Sequence, residues 1–267
     1  MGNTKISYGT KAWNVCTGCL PDYPCWERCW ARAMDKRFGD GEFKPTFHPE
    51  RLEEPLHWRK PQRVLTCFCG DMLCGSFSLM EIFKVFEMMF QCPQHQFLLL
   101  TKRPQNINKL IPEYAKSFKD LNNLWLGTSV STQAEADECI PQLLQVNCKH
   151  RWLSVEPILE DIDLTPVIKR ESGMNVLTRH IEHLDWLVIG GESGHNARLA
   201  KVEWFKSISD QCKDAGVPYY FKQWGKTSIA ETRHSFEQQK DKLRVRVGND
   251  ELYGDLKRRE YPKELEL

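Results

Sequence analysis

The chain has 267 residues, of which 41% are apolar and 11% aromatic, so it is long enough to fold around a large hydrophobic core and is not disordered. Thirty-seven basic residues balance 36 acidic ones to a formal charge of +1, which gives no overall attraction to nucleic acid or anionic lipid. The longest apolar runs are far shorter than the roughly 18 residues of a membrane span. Because the polar N-terminus also lacks the apolar core of a signal peptide, we expect a soluble, cytoplasmic protein that binds no membrane.

Short apolar runs typical of buried strands recur along the chain, each separated from the next by a segment with helical spacing. The repeat length fits one strand, one helix and two loops, which predicts parallel strands in an α/β fold. The predicted strands are 63–69, 96–101, 124–129, 151–155, 186–190 and 219–222, with a seventh before Cys16. The predicted helices are 79–90, 106–118, 132–144 and 202–215, and a further helix is expected from the first cysteine cluster to Gly39. We predict a partial (β/α)6-7 TIM-like barrel over residues 1–225, with a doubly wound sheet as the alternative.

Two stretches depart from this repeat. Residues 162–184 form an insertion whose structure the pattern does not define. Residues 226–267 are predicted to be a charged C-terminal extension with a hairpin near Gly248. Basic residues at 240–246 and 257–259 are interspersed with acidic ones, which is more typical of a solvated face than of a phosphate-binding patch.

Polar residues follow the predicted strands where each strand ends. In parallel α/β folds the active site lies at the carboxyl ends of the strands, so we expect these side chains to converge on one crevice. Each of them alone is equally well explained as a solvated loop residue. Charged groups brought together there would shift each other's pKa values and could bind a polar ligand or transfer protons. The residues are Asp71, Thr101, Lys102, Arg103, Ser129, Glu156, Gly190, Gly191, Glu192, Ser193, Lys222 and Gln223.

The two glycines before Glu192 are typical of a backbone that passes close to a ligand. Their amides could accept a carboxylate while the Glu192 side chain binds an amine, an arrangement that suits an amino-acid moiety. The alternative is a tight turn from strand to loop with Glu192 on the surface.

Four cysteines, Cys16, Cys19, Cys25 and Cys29, lie within fourteen residues. Four thiolates could close a structural zinc site, whereas three could hold a [4Fe–4S] cluster with one iron left open. A third interpretation is that all four are buried free thiols. A second group, Cys67, Cys69 and Cys74, is predicted to be core packing, with the first two on one face of a strand.

Nine short motifs occur in a characteristic order over about residues 8–225. They are Gly18-Cys19, Cys25, Cys29-Trp30-Ala31, His48-Pro49-Glu50-Arg51-Leu52, Leu100-Thr101-Lys102-Arg103-Pro104, Leu126-Gly127-Thr128-Ser129-Val130, Ser154-Val155-Glu156-Pro157, Gly190-Gly191-Glu192-Ser193-Gly194 and Phe221-Lys222-Gln223-Trp224-Gly225. Together they resemble the phage-associated three-cysteine-motif family. That family, formerly a domain of unknown function, looks like a divergent branch of the radical S-adenosylmethionine (SAM) superfamily.

The resemblance implies that Cys19, Cys25 and Cys29 ligate a [4Fe–4S] cluster and that SAM occupies its fourth iron. We therefore predict that Gly190, Gly191, Glu192, Ser193, Asp71, Ser129 and Trp30 bind the cofactor, and that Lys102, Arg103, Glu156, Lys222 and Gln223 are catalytic. Five and then three residues separate the cysteines, where the family has six and then two, and Arg28 replaces the usual aromatic residue.

The resemblance also implies partners and a setting. An electron donor such as flavodoxin or ferredoxin would supply the reducing electron, and the cell would be a bacterium or a phage-infected host. A modified nucleobase, nucleotide or DNA is the expected substrate, as in thymidine hypermodification. The alternative function is a zinc-stabilised module that binds nucleic acid or protein and has no radical activity.

Overall fold

The computed structural model describes residues 4–21, 24–110, 120–165, 167–171, 174–178, 180–194, 196–226, 228–229 and 254–266. Seven strands form one sheet whose strand order follows the sequence. They are β1 (Lys11–Trp13), β2 (Arg63–Thr66), β3 (Gln96–Thr101), β4 (Leu124–Val130), β5 (His150–Val155), β6 (Trp186–Gly190) and β7 (Tyr219–Gln223). The helices are α1 (Trp30–Phe38), α2 (Leu79–Gln91), α3 (Gln105–Leu110), α4 (Gln133–Leu144) and α5 (Val202–Ala215).

The parallel sheet belongs to the TIM-like partial-barrel class and confirms the predicted fold. The doubly wound alternative was wrong, because such a sheet reverses its strand order at a switch point and this one does not. The seventh strand, expected before Cys16, is β1. The insertion contains an antiparallel hairpin, Val167–Glu171 with Met174–Thr178.

Two expectations near the cysteines were wrong in detail. The strand predicted over 63–69 ends at Thr66, because Cys67 adopts a left-handed backbone with φ 58° and so leaves the ladder. Period-two alternation therefore does not relate Cys67 to Cys69. The helix predicted from the cysteine cluster is divided into a 3-10 turn, Pro24–Arg28, and α1, because Cys29 between them has an extended backbone.

The backbone divides into two compact units. The first comprises Met1–Thr128, Gln142–Trp152 and Glu264–Leu267, and the second comprises Ser129–Pro141 and Leu153–Lys263. In the first unit, β2, β3 and β4 pair in parallel, and their buried apolar side chains form its core. The Trp152 indole lies where a side chain at Gly127 would stand, with ring atoms 2.5 Å from the position of a Cβ, so only glycine fits there.

In the second unit, α5 ends at Gly216, whose left-handed φ of 69° suits the glycine that the sequence placed there as a C-cap. Part of the C-terminal extension lies along β7, where the Phe221 N–H donates to the Arg258 carbonyl at 2.7 Å. The Trp186 indole N–H donates to the Glu260 carbonyl at 2.9 Å. The Arg258 guanidinium pairs with the Glu260 carboxylate at 2.8 Å. The hairpin predicted near Gly248 and the basic residues 240–246 lie outside the described residues.

Among the residues that the structure describes, no helix combines the length and the apolar character needed to cross a bilayer.

The capping box at the start of α2 gives a test of local helix stability. The Ser78 hydroxyl accepts from the Glu81 N–H at 3.3 Å, and the Glu81 carboxylate accepts from the Ser78 N–H at 2.8 Å. Ser78→Ala leaves the Glu81 N–H without this acceptor and should lower the free energy of unfolding by about 1 kcal/mol, measured by urea denaturation. Ser78→Thr keeps the hydroxyl and is the control. An equal loss in both variants would contradict this account of the cap.

Candidate functional site

None of the eleven cysteines, all of which the structure describes, forms a disulfide, and they differ sharply in exposure. Cys19, Cys25, Cys29 and Cys69 are half-buried, and the others are buried. Three of the four accessible thiols lie in the segment between β1 and α1. These are the three that the family resemblance assigns to the metal.

The position of Cys19 is fixed by the glycine that precedes it. Gly18 has a left-handed φ of 78°, and a Cβ there would stand 2.1 Å from the Lys44 carbonyl oxygen. Only glycine permits this approach. The Cys19 N–H donates to the Phe43 carbonyl at 3.2 Å, and the Gly18 N–H donates to the Cys69 carbonyl at 3.0 Å. Backbone hydrogen bonds therefore hold the loop to two other segments.

A buried ion pair lies against the Cys19 thiol. One Arg103 guanidinium nitrogen, Nη1, is 2.9 Å from the Asp71 carboxylate and 3.6 Å from Cys19 Sγ. The side chains of Asp71 and Arg103 are only 9% and 7% exposed, so each buried charge depends on the other. The predicted residues Asp71 and Arg103 therefore meet a predicted metal ligand.

Asp71 also joins two strand ends. Its carboxylate accepts from the Thr101 hydroxyl at 2.8 Å, the Lys102 N–H at 3.2 Å and the Leu73 N–H at 2.9 Å, besides Arg103. Four donors engage both oxygens, which fits a carboxylate that holds the loops after β2 and β3 in place. Its predicted role in binding a cofactor stays a prediction.

The same surroundings set the protonation of Cys19. Burial raises the pKa of the Cys19 thiol to about 12, with a further rise from the Asp71 carboxylate and an opposing effect from the Arg103 guanidinium. In the metal-free protein Cys19 is therefore a neutral thiol, and a bound metal would have to displace its proton.

Cys25 and Cys29 both precede α1. Cys25 belongs to the 3-10 turn, and Cys29 is the N-cap residue of the helix, whose N-terminus favours negative charge. Burial raises the pKa of the Cys69 thiol, with smaller rises from the Cys67 and Cys29 thiols and an opposing effect from the Arg51 guanidinium. Within the described residues, no three His, Cys, Asp or Glu side chains converge on one point as metal ligands do.

Cys16, the remaining member of the cluster, faces a different environment. It is fully buried on a short strand, and its thiol contacts Cys67, which, with burial, raises its pKa strongly. Because Cys16 is buried while Cys19, Cys25 and Cys29 are half-buried, its limited accessibility disfavours a zinc site that uses Cys16 as the fourth ligand.

In the second unit, a second ion pair joins the ends of β5 and β7. The Lys222 ammonium group donates to the Glu156 carboxylate, and both side chains are under one-fifth exposed. The Ser129 hydroxyl donates to the Glu156 carbonyl at 3.3 Å, and a Cβ on Gly190 would stand 3.4 Å from the Glu156 carboxyl group. Four predicted residues thus lie together, and two of them, Glu156 and Lys222, form an ion pair.

Glu192 is held by a partner that sequence reasoning missed. The Arg198 guanidinium makes two bonds of 3.0 Å to its two carboxylate oxygens, and the Arg198 N–H donates at 2.6 Å. No periodic pattern marks Arg198, which lies in an irregular loop six residues after Glu192. An amine ligand of Glu192 would share the carboxylate oxygens with Arg198.

The double glycine also has a packing reason. A Cβ on Gly191 would stand 1.9 Å from the Trp224 carbonyl oxygen, so the loop after β7 requires glycine there. The Gln223 side-chain amide donates to the Gly191 carbonyl at 3.3 Å. Of the remaining predicted residues, Ser193 is exposed beyond β6 and Trp30 is 49% exposed on α1.

The sequence of residues 3–254 matches the family described as "Protein of unknown function (DUF5131)", and the chain belongs to that family. The match covers nearly the whole chain, but the description names no activity. No curated protein matches the chain.

The buried ion pair gives a stability prediction. Asp71→Ala leaves the Arg103 guanidinium buried without its counter-charge, so the free energy of unfolding should fall by about 3–5 kcal/mol in urea denaturation. The control is Glu27→Ala, which removes a carboxylate that is 81% exposed and 3.4 Å from Arg32. It should cost less than about 1 kcal/mol. Similar losses in the two variants would show that Asp71 does not hold this region together.

The two adjacent glycines should respond differently to alanine. Gly191→Ala meets a backbone carbonyl and should destabilise the protein by about 1–3 kcal/mol in thermal or urea unfolding. Gly190→Ala meets the Glu156 side chain at ordinary contact distance, so its loss should be smaller. If Gly191→Ala unfolds like the native chain, the packing explanation of that glycine is wrong.

Proposed function

We propose that this member of the DUF5131 family is a radical SAM enzyme. The observation that carries the proposal is the sorting of thiols: Cys19, Cys25 and Cys29 are accessible in the segment between the first strand and first helix of a parallel partial barrel, while Cys16 is buried. A partial parallel barrel is consistent with a radical-SAM-like fold. The family match shows that the chain belongs to this family, but its description names no chemical activity.

The donor set fits an iron–sulfur cluster by its chemistry. Thiolates are the ligands of [4Fe–4S] clusters, and three of them leave one iron open. Cys29 would place its charge at the N-terminus of α1, and Arg103 would donate to the sulfur of Cys19. When bound, the cluster and SAM would supply one-electron cleavage of a sulfonium carbon–sulfur bond, giving methionine and a 5′-deoxyadenosyl radical.

The residues of the second unit are assigned roles in handling SAM and substrate. The Glu192 carboxylate would bind the amino group of SAM, and Arg198 keeps that carboxylate oriented. The Lys222 ammonium group and the Glu156 carboxylate form an ion pair, and either group could exchange a proton with a bound substrate. Gln223 and Ser129, in the same unit, would orient polar groups of the ligand, while the catalytic role predicted for Lys102, in the first unit, stays a prediction.

The substrate proposed is a modified nucleobase, a nucleotide or DNA. The support is the phage association of the family that the motifs resemble. The near-neutral charge of the chain gives no separate support for binding a long nucleic acid.

Iron and sulfide analysis after anaerobic reconstitution tests the proposal. The native chain should bind about four iron and four sulfide per chain, and Cys19→Ala, Cys25→Ala and Cys29→Ala should each lose most of this content. Cys16→Ala and Cys69→Ala are the matched controls and should keep it. With SAM and dithionite, the loaded native protein should release 5′-deoxyadenosine, measured by chromatography.

A colourless protein with one zinc per chain would contradict the proposal. If zinc is lost in Cys69→Ala as well as in the variants of Cys19, Cys25 and Cys29, the site is a structural one with four thiolates, the fourth of them from Cys69. That outcome would favour the zinc-stabilised binding module instead.

A further inference from the structure

The surface of α1 carries a line of exposed apolar side chains, Trp30, Met34 and Phe38. They follow one another at intervals of four residues, so they share one side of the helix over about 12 Å. Their exposed fractions are 49%, 47% and 71%. These three residues, named here the α1 stripe, are three of the eight large apolar residues most exposed in the described part of the chain.

The α1 stripe lies in a locally basic segment. Residues 27–38 contain the basic residues Arg28, Arg32, Lys36 and Arg37 and the acidic residues Glu27 and Asp35, whereas the whole chain is nearly neutral. One of the two carboxylates, that of Asp35, accepts from the Phe43 N–H at 2.9 Å. The Arg37 guanidinium lies over the Phe38 ring, 4.9 Å from its centroid. Of the basic side chains, Arg32 is paired with the Glu27 carboxylate at 3.4 Å. Exposed aromatic, methionine and arginine side chains in one segment are typical of a protein interface.

We propose that the α1 stripe is the docking surface of an acidic one-electron donor protein, a reduced flavoprotein or iron–sulfur protein with an apolar patch. The inference rests on the proposed function, because cleavage of SAM consumes one electron. The partner protein supplies that electron and is itself oxidised. The charge of the segment complements an acidic partner. The helix begins at Trp30, directly after the proposed ligand Cys29, so a partner on this stripe would lie beside the metal-binding loop.

Two other occupants fit less well. In a symmetric dimer each copy would present the same basic segment to the other, and like charges would repel. Single-stranded nucleic acid stacks its bases on open aromatic faces. Here Arg37 covers one face of Phe38, and Met34, which offers no ring, stands between the two aromatic residues.

Binding of an acidic flavodoxin and of an acidic [2Fe–2S] ferredoxin, each fluorescently labelled, provides the first test. The double variant Met34→Ser with Phe38→Ser should raise the Kd about tenfold or more, and Arg37→Glu should raise it most at low salt. Two surface variants elsewhere are matched controls and should bind normally: Phe90→Ser on α2, where the side chain is 68% exposed, and Lys213→Glu on α5. Trp30 is left intact because it is also a predicted cofactor residue.

The second test separates docking from chemistry. The double variant should form 5′-deoxyadenosine at the native rate with dithionite and about tenfold more slowly with reduced flavodoxin. If dithionite yields none with the native protein, the proposed function fails, while the binding experiment still decides the docking surface. The docking inference is overturned if neither donor binds the native chain, or if the double variant binds both normally. It is also overturned if the double variant abolishes a native dimer or the binding of a thymidine oligonucleotide.

Discussion

The buried pair of Asp71 and Arg103 is the interaction on which the candidate metal site depends. A guanidinium and a carboxylate that are both more than nine-tenths buried hold their charges only together. Because Asp71 also accepts from Thr101 and Lys102, the pair fixes the end of β3 against the loop after β2. Arg103 then reaches the Cys19 thiol, so a structural contact becomes part of the surroundings of a proposed ligand.

The sequence predicts the repeating elements well because their cause is local. The bounds of β3, β6 and α5 match the predictions, since continuous apolar runs mark covered strands and a glycine marks the end of the helix. The errors arise where distant contacts decide the backbone. Cys67 leaves its strand in a left-handed conformation while its N–H donates to the Trp13 carbonyl at 2.9 Å, a pairing that no local pattern contains.

In the candidate site, too, the features set by local sequence were predicted, and those set by distant contacts were not. The sequence shows the two glycines before Glu192 and allows two interpretations, close approach of a ligand or close packing of the protein. The two differ only in which atoms lie opposite the glycines. The Trp224 carbonyl opposite Gly191 and the Arg198 side chain on Glu192 both come from loops. Likewise, Cys16 and Cys19 are three positions apart, yet one thiol is buried against Cys67 and the other contacts a guanidinium. Spacing alone does not distinguish such thiols, whereas burial does.

The start of α1 links helix formation to the proposed chemistry. Serine, threonine, asparagine or aspartate usually caps a helix, and here Cys29 occupies that position without a side-chain hydrogen bond to the backbone. The Cys29 thiol is thus a weak cap. A metal-bound thiolate would instead place negative charge at the positive end of the helix dipole, so ligation would stabilise α1. Under the proposed function, the residue that caps the free helix weakly would stabilise it on binding the metal, and with it the helix that carries the α1 stripe.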